Sequence, residues 1–108
     1  MSIIEFRATG VTFEGRQENL KKLAKQGEFT LKFFEDIHNE YDENAVKILA
    51  TTASEEDIEC GFVPKGANKM IKDEIKNKTI KIIDGKITGG TQYGKPTYGM
   101  YIKVFVER

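Results

Sequence analysis

Three aromatic residues of this chain stand alone in polar, turn-forming surroundings. Phe13 lies in Gly10-Val11-Thr12-Phe13-Glu14-Gly15, Tyr41 in Asn39-Glu40-Tyr41-Asp42-Glu43-Asn44, and Tyr93 in the Gly-rich run 88–96. Asp and Asn suit a turn because their side chains bond nearby backbone N–H groups. An aromatic there either folds back onto the core or faces a partner. On the second reading, isolated loop aromatics beside lysines are how single-stranded nucleic acid is often held, bases stacking on rings and phosphates meeting cations. On the first, each ring plugs the mouth of a barrel. Both readings fit the spacing.

Other chemistries fit less well. Gly89-Gly90-Thr91-Gln92-Tyr93-Gly94-Lys95 matches the G-x-x-x-x-G-K core of a phosphate-binding loop. Pro96 follows where Ser or Thr should hold the metal, and a strand pattern follows where a helix should start. His38 is the only histidine and Cys60 the only cysteine, too few for the usual zinc set. Asp36, Asn39, Asp42 and Asn44 lack the spacing and central glycine of an EF-hand loop, so turn formation is their expected role. No Ser/His/Asp or Cys/His signature points to nucleophilic catalysis, and Asp42 and Glu43 are adjacent and expected in solvent. The residues call for neither an enzyme nor a cofactor.

The elements that must position these residues follow from periodicity. Ile4, Phe6 and Ala8 alternate with polar residues as in a half-buried strand. Arg16 to Gln26 reads as a helix with an apolar stripe of Leu20, Leu23 and Ala24 and a stop at Gly27. Strands are expected over Phe29 to Glu35 and Ala45 to Leu49, flanking the Tyr41 loop, then an exposed loop over 51–57 and a strand from Ile58 to Val63 closed by Pro64. A second helix, Lys65 to Asn77, places Ala67, Met70, Ile71 and Ile75 on one face and Lys65, Lys69, Lys72 and Lys76 outside. Two strands complete the pattern, Thr79 to Ile87, interrupted at Asp84-Gly85, and Tyr98 to Val106. Six short strands with two inserted helices predict a single domain over 1–108 that forms a small closed or partly open barrel, since closure removes exposed edges.

The chain has 108 residues, enough for a core without a metal or disulfide. It has no run of eighteen apolar residues and no basic-then-apolar start, which predicts a cytoplasmic protein rather than a membrane or secreted one. Cys60, next to Gly61, is expected to be a buried small hydrophobe. The formal charge is zero, yet residues 1–60 hold 7 basic and 13 acidic residues and residues 61–108 hold 10 and 4. The halves are thus −6 and +6. Such a split offers a basic face to an acidic ligand, or lets the halves pair with each other. Strong non-specific binding of polyanions is not expected at zero net charge.

Three stretches together resemble the HIRAN domain: Gly10-Val11-Thr12-Phe13-Glu14-Gly15-Arg16, then Asn39-x-Tyr41-Asp42-x-Asn44-Ala45-Val46-x-Ile48, then Gly61-Phe62-Val63-Pro64-Lys65. Their order and spacing match, and the similarity covers nearly the whole chain. The resemblance implies an OB-like (or SH3-like) β-barrel with inserted helices that binds single-stranded DNA and captures its free 3′ end. It implies DNA repair as the setting, with a helicase, translocase or nuclease as a partner. It also assigns roles: Tyr41 stacks a terminal base, Asp42 accepts a hydrogen bond from the 3′-hydroxyl, Asn44 completes that motif, Phe13 is a second platform, and Tyr93 stands where the family has a third aromatic. Lys65 and Lys69 fall where the family has basic residues near phosphate. The chain departs at Thr12, where a DNA-binding member has Arg; Arg16 is the substitute the sequence offers. Losing a charge-assisted phosphate contact weakens binding. The alternative is a protein-interaction or regulatory domain that keeps the HIRAN fold without strong DNA binding.

Overall fold

The computed structural model describes residues 2–13, 15–90 and 97–107. Its elements run β1 (Ser2–Arg7), α1 (Arg16–Gln26), β2 (Thr30–Glu35), β3 (Val46–Thr51), β4 (Ile58–Phe62), α2 (Lys65–Asn77), β5 (Ile80–Gly89) and β6 (Tyr98–Val106). The strands form two antiparallel three-stranded sheets, ordered β1-β6-β5 and β2-β3-β4. Each helix carries the chain from one sheet to the other.

The six strands and two helices expected are present, but no closed barrel forms among the described residues. One backbone bridge, Thr9 to Phe62, joins the sheets at a corner. The opposite seam, between β2 and β5, carries no strand pairing among the described residues. There the Leu31 side chain stands over the backbone of Gly85, where a Cβ would collide with it. β2 and β5 therefore meet there through side-chain packing, without a hydrogen-bonded ladder. The expected interruption at Asp84-Gly85 is also corrected: β5 runs through it, absorbing a bulge between Ile82 and Asp84.

The core lies between the sheets and under both helices. Met100, Ile102, Val104 and Val106 of β6 are buried along one face, as the alternation predicts, with Val46, Ile48 and Ala50 of β3. The Phe6 and Phe33 rings meet across the sheets at 6.3 Å. Leu20 and Leu23 of α1 and Ile71 of α2 are buried, whereas Ala24 stays at the surface. Gly27 ends α1 at φ 80, its N–H donating to the Leu23 carbonyl at 3.0 Å. Cys60 is buried, and burial pushes its thiol up to about 12, as expected of a residue that packs rather than reacts. No described helix is long and apolar enough to cross a membrane.

Candidate nucleic-acid interface

The loop between β2 and β3 is held by its own polar side chains. The Asn39 Oδ1 accepts from the Tyr41 and Asp42 amides at 2.9 and 3.0 Å, and the Asn39 amide donates to Asp36 Oδ2 at 3.1 Å. Asp42 Oδ1 accepts from the Asn44 amide at 2.9 Å, and the Ala45 amide donates to the Asp42 carbonyl at 3.1 Å. With the backbone satisfied locally, Tyr41 has no anchoring task. Its side chain is 85% exposed, so the ring does not plug the core.

The β1–α1 loop is braced from beneath. Gly10 takes φ 68, and its carbonyl accepts from Arg16 Nη1 at 2.7 Å. A Cβ at Gly10 would press on that guanidinium at 3.3 Å and on the Phe62 ring at 3.4 Å. Arg16 itself is 5% exposed, its guanidinium 4.8 Å from the Phe62 ring centroid, a cation–π arrangement. Gly61 lets β4 approach this loop, because a Cβ there would meet the Thr9 carbonyl at 2.7 Å. That carbonyl accepts from the Phe62 amide at 2.9 Å. Phe13 is left outward, 65% exposed.

Between the two loops lies a cavity of about 790 Å³, with Phe13, Tyr41, Asp42, Arg16, Lys47 and Lys65 in its lining. Two exposed rings, the carboxylates of Asp36 and Asp42 and three cations, of which Arg16 is buried, therefore line one space. Asp42 is fixed at both oxygens, since Oδ2 accepts from the side-chain amide of Asn68 at 2.8 Å. Lys47 pairs with Glu59 at 2.9 Å, and that carboxylate holds its ammonium above the ordinary lysine range.

Among the residues expected at a site, Phe13, Arg16, Tyr41, Asp42 and Lys65 come together here. Asn44 and Lys69 do not line the cavity. Asn44 gives its backbone amide to the turn, and Lys69 is exposed farther along α2. Tyr93 lies outside the described residues. Sequence reasoning passed over Lys47, Phe62 and Asn68. The signal for Lys47 was a lone cation between apolar neighbours Val46 and Ile48, hence facing out of the sheet. Asn68 sits one turn before Ile71 and seven residues before Ile75, on the apolar face of α2, where a buried amide requires a partner. It is only 4% exposed.

Of the two readings of the charge split, a basic face or pairing of the halves, the described ion pairs show one contact between the halves. Lys22–Glu55, Lys32–Asp57 and Lys47–Glu59 join residues within the acidic half, and Lys103–Glu5 joins the two. The α2 residues Lys65 and Lys69 remain exposed to solvent.

A two-sheet β-module whose concave corner carries aromatic rings and cations belongs to the class of small binding modules. The HIRAN domain model matches residues 2–107, so the chain belongs to the HIRAN family, which implies a DNA-binding module. Comparison with curated proteins gives no match, and neither does comparison with solved structures.

Proposed function

We propose that this HIRAN domain binds single-stranded DNA at a free 3′ end, in the cavity between the β1–α1 and β2–β3 loops. The observation that carries this reading is the Tyr41-Asp42 pair, an exposed ring beside a carboxylate fixed at both oxygens. Tyr41 stacks the last base, and Phe13 offers a second platform across the cavity. Asp42 accepts from the 3′-hydroxyl: an ionised carboxylate has about four acceptor positions, and its two protein bonds leave room for a third.

Lys65 supplies charge for the adjoining phosphate, and the start of α2 adds the positive end of the helix. Arg16 and Lys47 add positive charge to a cavity wall that also holds Asp36 and Asp42. Lys69 meets phosphate farther along the strand, Tyr93 supplies the third ring, and Asn44 supports the turn. The two sheets act as a partly open, OB-like platform whose mouth is the cavity. The module acts by binding, alongside a helicase, translocase or nuclease in repair.

Fluorescence anisotropy with short single strands tests this. Strands with a free 3′-hydroxyl should bind roughly ten- to a hundredfold more tightly than 3′-phosphorylated ones, the range of one hydrogen bond to an ionised acceptor. Blocking the 5′ end should change little. Equal affinity for all strands would remove the end-recognition role of Asp42. No binding at low salt would favour the protein-interaction reading, with which Thr12 and the zero net charge agree.

A further inference from the structure

We infer that Asn68 is a specificity-determining positioning residue, which aims the Asp42 carboxylate so that the cavity accepts a hydroxyl-ended strand and rejects a phosphate-ended one. The inference rests on the function proposed above and adds to it a residue from α2, outside both loops.

The geometry is specific. Asp42 Oδ1 is tied to the Asn44 amide within its own turn, and Oδ2 is tied to the Asn68 side chain 26 positions away. With one oxygen anchored, a carboxylate still turns about its terminal torsion, which has broad, roughly two-fold preferences. A second anchor on the other oxygen fixes the plane. The plane decides where the remaining acceptor positions point, and Asp42 is part of the cavity wall.

Asn68 suits this task because it cannot follow a moving partner. It is buried on α2, and its own amide donates to the Pro64 carbonyl at 2.9 Å within the first turn. Turning Asp42 away would strand a buried amide, which is costly. A second tie between the same elements, Lys72 Nζ to the Glu43 carbonyl at 2.9 Å, is exposed and reaches backbone only. It holds the loop near α2 without orienting the carboxylate. An oriented, ionised carboxylate welcomes a hydroxyl donor and repels a terminal phosphate.

The test is Asn68→Leu, of similar volume and without a donor, with Lys72→Met as the control. Each is measured with free and 3′-phosphorylated strands, together with its melting temperature and the hydrogen exchange of the Asn44 amide. The expected result has three parts. The preference for the free 3′ end falls from roughly ten- to a hundredfold to within about twofold. The phosphorylated strand binds as before, and the Asn44 amide stays protected, so the turn is intact. Lys72→Met should keep the preference.

If Asn68→Leu does not fold, Asn68→Ala reads the same ratio with less added bulk. An unchanged preference in the folded variant would overturn the inference while leaving end recognition standing. So would equal weakening of both strands, which would mean that Asn68 only supports the loop. If the unmodified protein shows no preference, the proposed function fails and the inference fails with it.

Discussion

The two helices are of similar length and both bury an apolar side, yet they use their polar residues on different objects. α1 fastens backbone. Gln17 donates to the Val11 and Tyr98 carbonyls at 2.9 Å each and accepts from the Tyr98 amide at 2.8 Å. Asn19 donates to the Glu59 carbonyl at 2.8 Å, and Arg16 braces Gly10. α2 instead reaches the β2–β3 loop through Asn68 and Lys72 and places Lys65 at the cavity. Polar side chains on one helix hold the scaffold together; those on the other face the candidate ligand. Stability and recognition are therefore divided between the helices, apart from Arg16 of α1, which both braces Gly10 and lines the cavity.

The largest effect should come from breaking the α1 clamp. Gln17→Leu removes three hydrogen bonds and leaves backbone groups of Val11 and Tyr98 without it. The cost should be about 3 kcal/mol, lowering Tm by roughly 10–20 °C for a domain of this size. DNA affinity measured well below Tm should hardly change, and a thermal melt beside anisotropy on the same sample checks both. An unchanged Tm would deny α1 its role.

Tyr41→Ala is the converse. Its ring is exposed, so Tm should stay within a degree or so, while loss of one stacked base should cost about 1–3 kcal/mol of binding. A drop in Tm with intact affinity would invert the comparison. Smaller still, Lys65→Ala should flatten the dependence of log affinity on log salt by about 0.7, the value for one single-strand phosphate contact. Lys69→Ala, one turn farther from the cavity, should do less. Equal effects from the two lysines would mean that the basic side of α2 acts as a diffuse surface rather than through a defined contact.

Much of this was legible in the chain. Alternation in β1 and β6 and the stripe of α2 marked the core faces, because those patterns depend only on local geometry. The turn chemistry of Asn39, Asp42 and Asn44 marked the loop that presents Tyr41. What could not be read were relationships fixed across distance. Lys47 meets the cavity because β3 pairs it with Phe62, and Asn68 meets Asp42 because the chain changes sheets through α2. The seam between β2 and β5 sets Leu31 over Gly85, a contact between residues 54 positions apart in sequence. The exposure of Phe13 and Tyr41 was undecided by sequence, since a ring in a turn suits both a plug and a platform.

The Thr9–Phe62 bridge has a mechanical consequence. It is the one backbone tie between the sheets among the described residues, and both of its residues belong to the cavity wall. Two plates fastened at a corner and merely packed along the opposite seam pivot about the fastened corner. Hydrogen exchange is therefore expected to be slower at the Thr9 and Phe62 amides, which bond across the bridge, than along the facing edges of β2 and β5.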